Sequence, residues 1–392
     1  MEKQKRITHI VIFENYQEGY SYQENLLSQK HKELGYDVSV IASQSYRDNN
    51  YVNHRRPYGE YVNEYGIRVC VLQNTNHNPH LGRFFDKCIG LYEKLCDLGP
   101  DIIFLHNFSG KDVRHIARYM KEHPSTKLYV DCHSDYYNRP IRFNNPLKTF
   151  MRKLDCVKIA GYGKKLLPYT EKFWGTIPWR VQYLHEVYRI PKEKLGLLIM
   201  GADERNIIGR ERDEIADSIR TEYRIPNDAF LIATGGKLDK RKQQHLLMEA
   251  VKQLENEKIW LIIFGQPTKE MIPVFDAYKE CKNIIQTGWL PSDKAYDIFI
   301  ASQLAFFPGT HSVLWEQAVA CSTPIVTRHW AGMEHIDSGG NAILLDNVTV
   351  DSIKHTITMV YNTPKYQEMK AAACNCASRF FLTEISKLAI GE

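Results

Sequence analysis

The sequence predicts an α/β protein built on two parallel sheets, and three observations carry this. Short β-branched runs alternate with helical patterns along the whole chain, and strand, helix, strand in series gives a parallel sheet covered on both faces. Thirteen such runs are many for one open sheet, so two sheets of six or seven are expected. A polar, glycine-containing stretch, 200-MGADERNIIGRERDE-214, separates the two series. This places a first domain over 1–200 and a second over 201–375.

The first series has strands at 7–13, 37–42, 67–72, 101–105, 127–131, 156–160 and 195–200. Its opening run, Ile7 to Phe13, contains a polar Thr-His step and is not followed by a small-residue cleavage site, so it reads as a strand and not as a signal peptide. Helices are expected at 22–34, 81–97 and 111–122. The first of them has Gly19 to permit a tight turn, and Ser21 with Glu24 fits a capping box. The second series has strands at 229–234, 258–264, 283–287, 303–307, 323–327 and 342–345, with helices at 240–254, 291–300 and 312–321. A helical tail covers 364–392. In open α/β sheets ligands bind beyond the carboxyl ends of the strands, and two such domains facing each other make a cleft.

At 392 residues the chain exceeds one ordinary core. A hydrophobic fraction of 43%, a charged fraction of 25% and a net charge of +5 suit a globular protein and do not suggest a nucleic-acid partner. No run approaches the ~18 apolar residues of a membrane span. Nine cysteines without a Cys-x-x-Cys pair read as reduced thiols in a cytoplasmic protein, with no zinc site.

The segment 139–180 is basic and aromatic. It holds ten Lys and Arg against one Asp and one Glu, with Phe143, Phe150, Tyr162, Phe173, Trp174 and Trp179 interspersed. Contact with an anionic membrane surface is one reading, which would make the protein peripheral on the inner face of the membrane. A solvated face over buried aromatics is the other.

Two turns carry anion chemistry. In 235-GGKLDKRK-242 a strand ends on glycines, which let backbone N–H groups approach a ligand, and the next helix offers its positive dipole end. Lys237 and Lys242 can converge there on one diphosphate. In 303-QLAFFPGTHSVLWEQAVACSTPIVT-327, Thr310, His311 and Ser312 place hydroxyls and N–H groups at a second strand-to-helix turn. Glu316 follows one helical turn after Ser312, where it can accept from ribose hydroxyls or simply favour the helix dipole. In the first domain 127-KLYVDCHSDYYNRP-140 ends a strand with Asp131, His133 and Asp135, and His106 and Asn107 end another. No Asp-x-Asp motif occurs, which agrees with a metal-free site.

The ordered set formed by 235-GGKLDKRK-242, 262-IIFGQP-267, 286-QTGWLPSDKAYDIFIASQLAFFP-308 and 316-EQAVACSTPIV-326 resembles glycosyltransferase family 4. The resemblance implies the GT-B fold and sugar transfer from a nucleotide donor, of UDP or GDP type, with retention and without a metal or other cofactor. It implies that Lys237 and Lys242 hold the donor diphosphate, with Gly236 in their turn. Glu316 would bind the ribose, and Thr310, His311, Ser312 and Val313 would contact phosphate and sugar. Gly265, Trp289 and Leu290 lie where the base pocket is expected. Gly19 would near the donor phosphate and the acceptor, and His133 would touch the donor sugar. In such proteins the tail, here 376–392, crosses back onto the first domain. One departure stands out: Pro308 occupies the place of the family's first glutamate, near the reacting carbon.

The implied function is assembly of a surface polysaccharide or glycolipid on a saccharide or lipid-linked acceptor. The alternatives are a catalytically silent GT-B partner subunit, which Pro308 would explain, and a sugar-nucleotide epimerase of similar fold.

Overall fold

The computed structural model describes residues 4–18, 23–47, 53–75 and 87–392. The chain forms two compact units, 1–199 with 385–392, and 200–384.

In the first unit the elements run β1 (Arg6–Val11), α1 (Gln23–Glu33), β2 (Asp37–Ser43), β3 (Ser45–Arg47), β4 (Asn53–Arg55), β5 (Gly59–Val62), β6 (Arg68–Leu72), α2 (Leu91–Leu98), β7 (Ile102–His106), α3 (Val113–Glu122), β8 (Lys127–Cys132), α4 (Pro146–Leu166), β9 (Thr170–Gly175), α5 (Pro178–Glu186) and β10 (Leu195–Leu197). Eight strands form one sheet in the order β10-β9-β8-β7-β1-β2-β6-β5. It is parallel except at its edge, where β5 runs antiparallel to β6. The near-continuous burial of β1, β2, β7 and β8 is what a parallel sheet covered on both faces requires. Ile10, Ile103, Leu105, Val130 and Phe173 belong to one core with Ile116 and Ile159 from the helices.

The second unit continues with α6 (Arg212–Glu222), β11 (Phe230–Gly235), α7 (Gln244–Gln253), β12 (Ile259–Phe264), α8 (Ile272–Asp276), β13 (Ile284–Gly288), α9 (Ser292–Ala301), β14 (Leu304–Phe307), α10 (Leu314–Ala320), β15 (Ile325–Arg328), β16 (Ala342–Leu345), α11 (Val350–Val360) and α12 (Pro364–Cys376), and α13 (Leu382–Ala389) carries the chain into the first unit. Its six strands are all parallel, in the order β13-β12-β11-β14-β15-β16. Strand order reverses direction at β11 and β14, so the loops after these two strands flank the switch point where open sheets bind ligands.

Several expectations need correction. The run 156–160 is not a strand but the middle of α4. Asn145 caps this helix by accepting from the amides of Leu147 and Lys148, and Pro146 fits its first turn. Cys156, Ile159, Tyr162, Gly163 and Leu166 are its buried residues, a spacing of three and four. The strand at this place in the sheet is β9, whose Glu171 and Lys172 hide it from a hydrophobicity reading. The helix expected from 240 begins at Gln244, after a 3₁₀ turn over Lys240–Lys242. The chain returns to the first unit at Ile385, whereas 376–384 stay with the second. Gly19 and Ser21 lie outside the described residues, as does 81–86 of the helix expected at 81–97.

Candidate active site

In the second unit the sequence-selected residues gather on the loops that leave the carboxyl ends of adjacent strands. Gly236 follows β11, Gly265 follows β12, Trp289 and Leu290 follow β13, and Thr310 to Val313 follow β14. The loops are knitted by backbone bonds from Gly236 N–H to Phe264 O at 3.0 Å and from Gly265 N–H to Gly288 O at 2.7 Å. Gly265 has φ +123, and a Cβ there would lie 1.9 Å from the Gly236 carbonyl oxygen. Only glycine allows that approach.

Lys242 joins the two anion turns. Its Nζ donates to the carbonyl oxygens of Thr310 at 2.9 Å and His311 at 2.7 Å. Gly309 makes room for this, since a Cβ there would meet the backbone of Arg241 and Lys242 at 2.4 Å. An ammonium has three donors, so one remains for an anion. Burial brings Lys242 down to about 8, which Asp239 only partly offsets. Asp239 shapes the turn by accepting from the Arg241 amide at 3.0 Å and from the Arg241 guanidinium at 2.6 Å. Lys237 is exposed, and so is Trp289, with 67% of its surface open.

Glu316 is fully enclosed. Its Oε1 accepts from His311 Nε2 at 2.8 Å and from His335 Nε2 at 2.9 Å, and His311 also reaches Oε2 at 3.1 Å. Burial alone would push this carboxyl up, but the two imidazoles outweigh it and hold Glu316 at about 2. The carboxylate therefore presents no free edge to a ribose, and His311 is turned toward Glu316. The three side chains form a group with metal-ligand spacing, ligand atoms within 4.8 Å of one another. Their Nε2–H protons are engaged on Glu316 and would have to be lost before a cation could take their place. His335 was not singled out from the sequence; it lies nineteen positions beyond Glu316 and no local pattern links them. Pro308 is buried and offers no donor or acceptor side chain. The helix after this turn, α10, starts at Leu314 and has seven residues, so its dipole is short.

In the first unit the carboxyl ends of β1, β7 and β8 bring together Glu14, His106, Asn107, Asp131 and His133. Asn107, at φ 63, donates its side-chain N–H to Glu14 Oε1 at 2.6 Å and its amide to Asp131 Oδ1 at 3.1 Å. His133 Nε2 lies 3.6 Å from Asp131 Oδ2, and its side chain is 23% exposed. Burial opposes the charged ring, yet Asp131 and Glu24 hold His133 up at about 9, so it is an imidazolium at neutral pH. Glu24, buried at the start of α1, is raised by burial. Asp135 serves structure: its Oδ2 pairs with Arg180 Nε at 3.1 Å, and its Oδ1 accepts from the Tyr137 and Asn138 amides. Glu24 escaped the sequence reading as a site group because a capping box with Ser21 explained it, and Glu14 because a lone carboxylate after β1 forms no local pattern.

Residues 216–374 match the family model described as Glycosyl transferases group 1. No curated protein matches the chain in sequence. Among solved structures it is similar to HepE of Anabaena in complex with UDP, at 14% identity and TM-score 0.68, covering 98% of each chain. Sucrose-phosphate synthase of Thermosynechococcus elongatus is similar at 13% identity and TM-score 0.63, covering 98% of this chain and 97% of that one. WaaG, a glycosyltransferase involved in lipopolysaccharide biosynthesis, is similar at 12% identity and TM-score 0.64, covering 98% and 100%. The fold is thus GT-B, and the second unit carries the signature of group 1 glycosyltransferases.

Proposed function

We propose that the protein is a retaining glycosyltransferase that moves a sugar from a nucleotide-diphosphate donor to a hydroxyl acceptor. The observation that carries this is the lashing of Lys242 to Thr310 and His311, which makes one cationic cradle from two loops inside the group 1 segment. The remaining Lys242 proton, the exposed Lys237 and the backbone at Gly236 bind the diphosphate and stabilise it as it leaves. Trp289 and Leu290, with Gly265, receive the base. His133, cationic beside Asp131, is the first unit's candidate group for a sugar or phosphate. Glu316 anchors His311 and His335, and a ribose contact requires one of these imidazoles to yield its place. HepE, solved with UDP, supports a uridine donor. A GDP-type donor is the second choice.

The acceptor is proposed to be lipid-linked. No helix among the described residues is long and apolar enough to cross a membrane. The 139–180 segment instead shows α4 with Leu147, Phe150, Met151, Leu154 and Val157 on its exposed side, between 54% and 70% open. Lys148, Arg152, Lys153 and Lys158 are interleaved with them. Apolar side chains flanked by cations suit the surface of an anionic bilayer. Tyr162, Phe173 and Trp174, by contrast, are buried.

A second reading, nucleotide binding without transfer, rests on Pro308 and on the enclosure of Glu316. The test is to incubate the protein with radiolabelled UDP- and GDP-sugars and a membrane lipid extract. Label entering the lipid fraction, with the anomeric coupling of the donor kept in the product, is the expected result. Label that never leaves the donor favours the silent reading, and a changed donor sugar without acceptor favours epimerisation.

A further inference from the structure

Three buried histidines lie end to end beneath His133, and the reading above gives them no task. The carbonyl oxygen of Ser386 in α13 accepts from His31 Nε2 at 2.8 Å. His31 Nδ1 is 3.0 Å from His9 Nε2, and His9 Nδ1 is 3.0 Å from His106 Nε2. His106 Nδ1 closes the series on Asp131 Oδ2 at 2.8 Å. None of the three rings, nor Asp131, has any exposed surface.

Both ends of this series are acceptors. A carbonyl oxygen cannot donate. Asp131 is kept as a carboxylate by the Asn107 amide on Oδ1 and by His133 at 3.6 Å from Oδ2. The four contacts each need one proton, and three neutral imidazoles bring only three. A three-proton series would set two lone pairs against each other in a dry interior, and a five-proton series two N–H groups. Unsatisfied buried groups of this kind are costly.

We propose that His9, His31 and His106 form a relay holding four protons on three rings, and that its one stored positive charge makes them positioning residues for His133. Their role in the reaction rests on the transferase reading; the proton count does not. The charge sits on His106, in contact with the carboxylate. His106 then donates from Nδ1 to Asp131 and from Nε2 to His9. His9 donates from Nε2 to His31, and His31 from Nε2 to Ser386. Burial agrees with this order, pushing His9 well down and His31 to about 4, so both are neutral. The charged and titratable groups around the relay are Asp131, His133, Glu24 and Glu14 at one end, and Tyr36 and Glu392 at the other. With His106 cationic, Asp131 is partly compensated, and its grip on the His133 proton is set accordingly. The docking of α13 through Ser386 is thereby tied to the charge beside the site.

The test is nitrogen NMR of the full-length protein labelled at histidine, with signals assigned by single substitutions. It needs no donor and no turnover, so its failure is separate from failure of the transferase reading. The expected result between pH 6 and 8 is one imidazolium and two neutral rings protonated at Nε2 among His9, His31 and His106. Three neutral rings would overturn the proposal, whether or not any variant folds. His31→Gln can still accept from His9 and donate to Ser386, so one imidazolium is expected to persist. His31→Leu breaks the series, so the imidazolium is expected to vanish and the His133 titration to move upward. A His133 titration identical in wild type and His31→Leu would overturn the positioning role.

Discussion

Lys242 and Thr310 stand 68 positions apart in the chain, yet the Lys242 ammonium donates to the Thr310 carbonyl oxygen at 2.9 Å. A second bond, to the His311 carbonyl, fixes the same ammonium at 2.7 Å. One side chain thus ties the loop after β11 to the loop after β14. Lys242→Ala removes both bonds and leaves two carbonyls without a charged donor. The expected loss is about 2 kcal/mol of unfolding free energy in urea, together with loss of nucleotide binding by calorimetry.

The same lysine sets a pH dependence for binding. Because burial lowers it to about 8, it loses its proton as pH rises through that value. Nucleotide affinity in wild type is expected to fall between pH 7 and 10. Lys242→Arg, which keeps its charge throughout, is expected to show a flatter profile even if its affinity is lower.

Gly309 is a steric requirement for this cradle. A methyl group there would stand 2.4 Å from the backbone of Arg241 and Lys242. Gly309→Ala is expected to cost about 1–3 kcal/mol of stability and to weaken nucleotide binding at least tenfold. Gly161, inside α4 with nothing within 4 Å of its added Cβ, supplies the control: Gly161→Ala is expected to leave nucleotide binding unchanged and to raise stability by about 1 kcal/mol.

His133 makes stability depend on alkaline pH. Its folded pKa, about 9, lies above that of a free histidine. Its stabilising contribution is therefore fully present below ~6.5 and is lost as pH rises through 9. Wild type is expected to lose about 3 kcal/mol from this group between pH 6 and 10. His133→Gln is expected to lose correspondingly less over the same interval. Glu316 acts in the opposite direction: held down at about 2, it contributes stability above the ordinary carboxylate range that is lost as pH falls toward 2.

Exposed apolar residues on α4 are expected to carry membrane attachment. Phe150→Glu with Leu154→Glu is expected to abolish cosedimentation with anionic vesicles at low salt and to leave nucleotide binding intact. Equal binding of wild type to neutral and anionic vesicles would argue against the cationic contribution.

The parallel strands of the second unit were legible because each is a short run of mainly apolar residues, and β11 to β14 are closed by a glycine or proline turn, a pattern that survives without tertiary information. β9 was not, because a charged pair interrupts it, and α4 drew a false strand because Val157 and Ile159 stand two apart around Lys158, the alternation of a strand, although in the helix one is exposed and the other buried. The cationic turn at Lys242 could be read, since its glycines and charges are local. The enclosure of Glu316 could not, because His335 arrives from the loop after β15. The histidine relay could not either. It joins β1, α1, β7 and α13, and single histidines in three elements, with a backbone carbonyl from the fourth, carry no pattern until the sheet order brings them into line.

The most direct test of the central claim is thermal unfolding of the purified protein against UDP, GDP, ADP, CMP and dTDP, each with and without magnesium. A ligand at 100 times its dissociation constant adds ~2.7 kcal/mol of stability, which is a visible shift. The account predicts that one nucleotide diphosphate, UDP first, raises the unfolding temperature equally with and without magnesium, and that Lys242→Ala removes the shift. No shift with any nucleotide, or a shift that Lys242→Ala leaves untouched, would contradict it.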